Sequence, residues 1–112
     1  MKKQEEIVAI VTAITKERVI VRRAELEHAM RHFLLPEDIF LELLERVLKN
    51  PSVIYLDKSK EEKTYHLFYR LFDKKYILAV VKVIPEGAYF SSMYATGQSI
   101  RKSHKNFKQL KL

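Results

Sequence analysis

Apolar residues in the first half of the chain predict two short strands followed by two helices. Residues 7–14 and 19–21 are apolar and mostly β-branched, which at this length favours strands. Over residues 23–34 apolar side chains recur at helical spacing, and Pro36 stands where a second helix would begin. Pro51 is expected to end that helix, because the residue before a proline avoids helical geometry.

Alternation of apolar and polar residues in the second half predicts an antiparallel meander. Turn signals at residues 73–75 and 85–87 separate the strand candidates. The predicted strands are residues 63–72, 76–83 and 88–96, with an edge strand expected at residues 52–56. These elements predict an α+β fold in which N-terminal helices pack on one face of an antiparallel four-stranded sheet. We expect one domain over residues 1–112, with a basic C-terminal tail at residues 97–112.

The same alternation assigns side chains to the two faces of the predicted sheet, since every second residue of a strand points to the same face. The face toward the helices is expected to carry Ile77, Ala79, Val81 and Val83. The opposite face is expected to carry His66, Arg70, Lys82, Ser92, Tyr94 and Thr96. A histidine, two cations and several hydroxyls are therefore predicted to meet on the face that the helices leave uncovered.

Positive charge is concentrated in the second half of the chain. Residues 1–56 carry 9 Lys+Arg and 9 Asp+Glu, whereas residues 57–112 carry 12 and 5, which accounts for the net charge of +7. The tail at residues 97–112 has five basic residues and no acidic one. A one-sided basic surface favours a polyanion such as RNA, because each phosphate contact releases counterions. The alternative is a solvated lysine-rich tail without a ligand.

The composition excludes several kinds of site. The chain has no cysteine, which rules out disulfides, thiolate nucleophiles and cysteine-based zinc sites. Its two glycines exclude a P-loop, and Ser91 and Ser92 lack the G-x-S-x-G context of a serine hydrolase. His28 and His32 lie four residues apart on one predicted helix, but two ligands alone make a poor metal site. We therefore expect no metal and no cofactor.

The N-terminus only partly resembles a membrane-directed segment. Two lysines precede an apolar run, but Glu5 and Glu6 interrupt that pattern. Residues 7–14 are too short to cross a bilayer. We therefore expect a cytoplasmic protein with no membrane partner.

Cleavage of RNA without a metal uses residue types that this chain contains. A base must deprotonate the 2′-hydroxyl, an acid must protonate the leaving oxygen, and cations must hold the phosphate. Histidine can serve as acid or base near neutral pH. His66, in the aromatic segment KTYHLFYR, is either such a group or a packed strand residue, and His28 and His32 have a solvated helix face as their alternative. The aromatic residues of the strands either stack on bases or pack in the core.

Three parts of the chain, taken in order, resemble a known family. RRAELEHAMRHFLLPED at residues 22–38 is similar to a helix with H-x-x-x-H followed by an acidic helix start. LLERVLKNPSVIYLDKS at residues 43–59 is similar to the next helix and the strand after it. KTYHLFYR, KKYILAVVKV and FSSMYAT resemble a meander whose last strand ends in a Ser/Thr-x-Tyr element. Together they resemble the small prophage and plasmid nuclease-like domains of the barnase, EndoU, colicin and RelE superfamily.

The resemblance implies a metal-independent endoribonuclease on a barnase- or RelE-like fold, often a toxin or translation inhibitor. RNA or the ribosome would be its target, and an antitoxin or immunity protein its partner. By this resemblance His32 matches the family's helix histidine, and Ser92 and Tyr94 match the hydroxyls of the last strand. Two positions depart from the family pattern, because Phe33 follows His32 where His-Pro is common, and Ser92 stands where threonine is frequent. The candidate site is His32, His66, Ser92 and Tyr94 for catalysis, with Arg70, Lys82, Arg101, Lys102, Lys105 and Lys108 for RNA binding.

Two other functions fit the same sequence features. The chain would also serve as a non-catalytic RNA- or ribosome-binding module that uses the basic surface. It would equally serve as a protein-interaction domain whose tail binds an acidic partner. Loss of cleavage with retained RNA affinity on changing His32 to alanine would distinguish an enzyme from a binding module.

Overall fold

A mixed β-sheet forms the frame of the structure, and two helices cover one of its faces. The computed structural model describes residues 5–60, 63–96 and 108–110, and within these ranges the sheet has seven strands. The strands are β1 (Ile7–Thr12), β2 (Arg18–Arg22), β3 (Val53–Lys60), β4 (Lys63–Phe72), β5 (Lys75–Ile84), β6 (Gly87–Thr96) and β7 (Lys108–Leu110). The helices are α1 (Arg23–Met30) and α2 (Glu37–Lys49).

The prediction of an antiparallel four-stranded sheet beneath N-terminal helices is wrong. The strand order is β1-β2-β6-β5-β4-β3-β7, so the two N-terminal strands belong to the same sheet as the meander. β2 joins the meander through a parallel pairing, in which Val19 lies opposite Ala88 and Ile20 opposite Tyr89. The sequence pattern marks each strand, but it contains no signal for the pairing of strands so far apart in the chain. With seven strands and two helices, the described part of the protein is mostly sheet.

The helices begin and end where local chemistry dictates. α2 starts directly after Pro36, has Glu37 and Asp38 in its first turn, and ends at Lys49, just before the asparagine–proline pair. α1 follows β2 without a loop and is shorter than predicted, ending at Met30. An ion pair between Arg23 and Glu37, with a nitrogen–oxygen distance of 2.5 Å, joins the first residues of the two helices.

The main core lies between the helices and one face of the sheet. α2 contributes a stripe at helical spacing, and each member of that stripe is fully buried. Its members are Phe40, Leu44, Val47 and Leu48. On β5 the predicted core face is confirmed, because Ala79 and Val81 are buried and Ile77 and Val83 pack beside them. Burial of this apolar area is the main force that holds the helices on the sheet.

The opposite face of the sheet, called the second face below, carries an apolar cluster of its own. Tyr55, Leu67, Tyr69 and Leu78 are buried there. The rings of Tyr55 and Tyr69 meet edge to face, with centroids 5.9 Å apart. Burial raises the pKa of the Tyr69 phenol well above its ordinary value, with smaller contributions from the neighbouring tyrosines.

Two tight turns connect the strands of the meander, as the turn signals predict. Phe72 pairs with Lys75, so Asp73 and Lys74 form the first turn, in which Asp73 has a left-handed φ of 55°. Ile84 pairs with Gly87 across the second turn. Asparagine, aspartate and glycine tolerate such backbone angles better than other residues, which explains why these turn signals were informative.

The basic tail is described only in part. Arg101, Lys102 and Lys105 lie outside the described residues. Lys108 begins β7, where it is exposed and pairs with Leu56 of β3.

In the ranges that the structure describes, no helix has the length and apolar character needed to span a membrane.

Candidate functional site

One edge of β6 pairs with β5 along its length. Along the other edge, β2 pairs with the start of β6, and α1 lies beside its C-terminal half. β2 pairs with β6 only at Ala88 and Tyr89, and α1 follows β2 directly and packs against β6. The turn that follows α1 thereby reaches Tyr94, since the ring centroids of His32 and Tyr94 lie 6.1 Å apart. The parallel β2–β6 pairing is thus the reason that residues from a helix and from the last strand of the meander meet.

Three rings form a row at this position, which we call the His–Tyr row and define as His28, His32 and Tyr94. His28 lies near the end of α1 and His32 in the turn that follows, with ring centroids separated by 6.3 Å in an edge-to-face arrangement. Both histidines are exposed, and Tyr94 is 37% exposed. Two imidazoles and a phenol are therefore accessible to a ligand on the same side of the molecule. Together they can accept and donate protons.

Ser92 lies next to the His–Tyr row along the strand. The pairing register places Ser92 opposite Val80 and Tyr94 opposite Leu78, so both side chains lie on the second face of the sheet. A β-bulge interrupts the β5–β6 register between Val80 and Val81, and Ser91 is its extra residue. Because the bulge adds one residue, Phe90 and Met93 both face the core although they are three residues apart, and both are buried beneath the helices.

A cavity of about 230 Å³ lies at the other end of β6. The Arg22 guanidinium carbon lies 4.4 Å from the centroid of the Tyr89 ring, which is a cation–π contact. Tyr89 in turn lies opposite Lys82 in the β5–β6 register. We call this cavity the β6 pocket, and its polar lining is Arg22, Glu25, Lys82, Glu86, Tyr89 and Ser91.

The His–Tyr row and the β6 pocket are separate places along β6. In the β5–β6 register Lys82 lies opposite Tyr89, whereas Tyr94 lies opposite Leu78. Four residues along β5 separate Lys82 from Leu78, which corresponds to about 13 Å at the rise of a strand. Lys82 and Tyr94 thus share a face of the sheet, as predicted, but this distance separates them into two sites.

The comparison with family models gives one match. The model of the phage-Barnase-EndoU-ColicinE5/D-RelE like nuclease 2 family covers residues 1–111, nearly the whole chain. The chain belongs to this nuclease family. No curated protein and no solved structure matched the sequence significantly. Membership makes a nuclease of the barnase, EndoU and RelE type the class of activity to test at the site.

Two predicted site residues of this nuclease-family chain lie on the other face of the sheet. His66 pairs with Val81 and Arg70 pairs with Ile77, so both side chains lie on the face that packs against the helices. The prediction that they meet Lys82 and Tyr94 on one face is therefore wrong. The reason is the β4–β5 register, in which the even-numbered residues of β4 lie opposite the odd-numbered core residues of β5.

His66 and Arg70 have local partners on the helix side. The His66 Nδ1 atom lies 3.7 Å from a carboxylate oxygen of Glu17, and the side chain is only 12% exposed. Burial lowers the pKa of His66, while Glu17 acts in the opposite direction. The Arg70 guanidinium donates a hydrogen bond of 2.5 Å to the carbonyl oxygen of Asn50. Both side chains connect the sheet to neighbouring loops.

The remaining predicted residues fall into two groups. Lys108 lies on β7, four strands from β6 in the sheet order, which is about 19 Å at the usual strand spacing. It is therefore not close to the His–Tyr row. Arg101, Lys102 and Lys105 lie outside the described residues, and the last described residue before that segment is two residues after Tyr94.

Among the residues that the structure describes, no group of three or more His, Asp or Glu is arranged to hold a metal.

The sequence-based site omitted residues that the structure brings to β6. Glu25 and His28 are three residues apart, which places them along one side of α1, and His32 lies in the turn that follows the helix. From the sequence alone, this spacing could have identified Glu25 and His28 as neighbours of His32. Arg22 and Tyr89 had no comparable signal, because their contact depends on the β2–β6 pairing.

Proposed function

We propose that this nuclease-family chain is an endoribonuclease that cleaves RNA without a metal, at the His–Tyr row. The observation that carries the proposal is the meeting of His28, His32 and Tyr94 on an exposed side of the molecule. In the reaction, the 2′-oxygen of the substrate bonds to the adjacent phosphorus and the bond from phosphorus to the 5′-oxygen breaks. The products are a 2′,3′-cyclic phosphate and a free 5′-hydroxyl.

The two histidines supply the proton transfers in this proposal. One imidazole, in its neutral form, takes the proton of the attacking 2′-hydroxyl. The other, in its protonated form, gives a proton to the leaving 5′-oxygen, so the protons balance over the step. Histidine suits both roles because its charge changes near neutral pH. The separation of 6.3 Å between the rings leaves room for a phosphate to contact both.

The hydroxyls of β6 are proposed to position the phosphate. Tyr94 contacts His32 and shares its face with Ser92, so their hydroxyls can donate hydrogen bonds to the non-bridging oxygens. The described residues place neither Arg70 nor Lys82 beside the row. We therefore assign contacts with flanking phosphates to the basic residues that follow β6 in the sequence, which include Arg101 and Lys102.

The test is a cleavage assay in excess EDTA with end-labelled RNA. We expect the natural chain to produce fragments with 2′,3′-cyclic phosphates, and His32→Ala and His28→Ala each to lose most of that activity. His66→Gln is a matched control, because His66 lies on the opposite face of the sheet. Cleavage that survives in both alanine variants and disappears in His66→Gln would overturn the assignment of the row. Salt-sensitive RNA binding without cleavage in the natural chain would favour a non-catalytic binding module.

A toxin-like role follows if the RNA of the host cell is the substrate. Induced expression in bacteria should then slow growth and translation, and His32→Ala should relieve both effects at equal protein levels. An acidic antitoxin or immunity protein is the partner that the net charge of +7 favours. Normal growth during expression of a chain that cleaves RNA in the test tube would argue against this role.

A further inference from the structure

The β6 pocket combines charges of both signs, and the cleavage proposal does not use it. Two cations, Arg22 and Lys82, and two carboxylates, Glu25 and Glu86, line one cavity of about 230 Å³. Stacking on Tyr89 holds the Arg22 guanidinium in place, which leaves the N–H groups at its edge available as donors. A cavity with preorganised groups of both kinds is suited to a ligand that carries both acceptors and donors.

The chemistry of the lining selects among ligands. Arg22 and Lys82 are donors and bind phosphate oxygens. The carboxylates of Glu25 and Glu86 are acceptors when ionised, and they would repel a bare phosphate. They bind the amino groups of a base instead, as carboxylates do with the N4 amino group of cytosine. A nucleotide with an amino-bearing base satisfies all four groups, whereas uracil offers no amino group.

The position of the pocket relates it to the His–Tyr row. Lys82 lies on the same face of the sheet as Ser92 and Tyr94, at about 13 Å from the Tyr94 pairing position along β5. That length equals about four nucleotides of a stacked strand, at about 3.4 Å each. Splayed, unstacked nucleotides cover the same distance with fewer residues. An RNA strand along β6 would therefore reach both places at once.

We propose that the β6 pocket is a nucleotide subsite that binds a single-stranded RNA substrate a few nucleotides from the bond that is cut, with preference for an amino-bearing base. The proposal rests on the proposed endoribonuclease function. A duplex does not fit this arrangement, because its base edges are already paired and are not free to reach Glu25 and Glu86. The substrate class is thus single-stranded RNA or an exposed loop.

The first test compares substrates of two lengths. The kcat/KM values for a hexanucleotide and for a dinucleotide are measured with the natural chain, with Lys82→Gln and with Lys75→Gln. Lys75 is an exposed lysine at the start of the same strand, which makes it a matched charge control. We expect the preference for the hexanucleotide to fall about tenfold in Lys82→Gln, through loss of one charged hydrogen bond, and to be unchanged in Lys75→Gln.

The second test examines the base. A uridine hexanucleotide is compared with variants that carry one cytidine at each position in turn. One position should bind more tightly with cytidine in the natural chain, and Glu86→Gln should reduce that advantage. Equal affinity for all of these oligonucleotides would overturn the base preference. Circular dichroism melting of each variant establishes that the fold is retained.

The outcomes separate this proposal from the function on which it rests. If RNA is cut and Lys82→Gln affects the two lengths equally, the subsite is wrong and the endoribonuclease stands. If no RNA is cut, fluorescence anisotropy with the labelled hexanucleotide still tests the pocket. Weaker binding in Lys82→Gln than in Lys75→Gln would then support a nucleotide site on a non-catalytic protein, and equal binding would overturn it.

Discussion

At the scale of single residues, the three histidines that the structure describes differ in their surroundings. His28 and His32 are exposed and lie beside Tyr94, whereas His66 is packed among core residues of β4 and β5 with Glu17 at 3.7 Å. Burial lowers the pKa of His66, so its neutral form is favoured in the folded state. Protonation of His66 therefore opposes folding.

Stability should fall as the pH is lowered through the range in which His66 titrates. The folded-state pKa lies below the unfolded value of about 6.5, so the unfolded state binds more protons and is favoured as the pH drops through that value. We expect His66→Gln to lose less stability than the natural chain between about pH 7.5 and pH 5.5, in the range of the histidine pKa. Urea unfolding at each pH measures this difference, with His28→Gln as the exposed control. Identical pH dependence in all three proteins would contradict the role of burial.

Tyr94→Phe isolates the contribution of one hydroxyl. The substitution keeps the ring beside His32 and removes the group that is proposed to contact phosphate. We expect cleavage to fall about tenfold or more, as for loss of a hydrogen bond to a charged group. Because the side chain is 37% exposed, the free energy of unfolding should change by less than about 0.5 kcal/mol. Unchanged kcat in this variant would remove Tyr94 from the site.

At the scale of secondary-structure elements, local chemistry explains some boundaries and leaves others open. The predicted helix over residues 23–34 stops at Met30, and Leu34 is fully exposed in the connection to α2. Pro36 disfavours helical geometry at Leu35, the residue before it, and does not account for the end at Met30. The β4–β5 turn depends on Asp73, whose backbone adopts a left-handed conformation.

Substitutions at Asp73 should separate backbone conformation from side-chain contacts. Asp73→Ala places a residue with a Cβ and no local hydrogen-bonding group at a φ of 55°, and we expect a loss of about 1 kcal/mol in unfolding free energy. Asp73→Gly should retain or increase stability at the same position, because glycine adopts this φ without strain. Chemical denaturation of the two variants measures the difference. Equal stability of the alanine and glycine variants would contradict the conformational explanation.

At the scale of the whole molecule, charge and sheet topology act on the same region. The net charge of +7 comes from the second half of the chain, which contains β4, β5 and β6 and the segment after them. β6 is central to the proposed site, since it carries Ser92 and Tyr94 and lies beside α1. In the proposed function, the basic residues that follow β6 in the sequence bind phosphates of the RNA.

RNA binding should therefore weaken steeply with salt, and the tail should account for part of the slope. Each phosphate contact contributes about one unit to the dependence of log K on log salt concentration. Replacing Arg101 and Lys102 with glutamine should reduce that slope by about two if both bind phosphates. Anisotropy titrations over a salt series measure the slope, and Lys49→Gln together with Lys75→Gln is a charge-matched control. An equal reduction in the control would show that net charge, rather than the tail, determines binding.

Most individual elements of this chain were predictable from its sequence. β-branched runs gave β1 and β2, helical spacing after Pro36 gave α2, and turn residues gave the two hairpins of the meander. Alternation grouped Ser92 with Tyr94, since side chains two residues apart on one strand share a face, whereas the position of Lys82 on that face depends on the β5–β6 register. These features depend on residues close together in the chain, and a local pattern therefore contains them.

The tertiary structure alone decided which elements meet. The parallel pairing of β2 with β6 added β1 and β2 to the predicted four-stranded sheet, and pairing of β7 with β3 completed the seven strands within the described residues. The β2–β6 pairing also placed α1 beside β6, which brought the His28–His32 pair to Tyr94 and Arg22 to Tyr89. The β4–β5 register, in turn, moved His66 and Arg70 to the helix side. Pairing and register arise from contacts between distant segments, and the period of one strand carries no information about its partner.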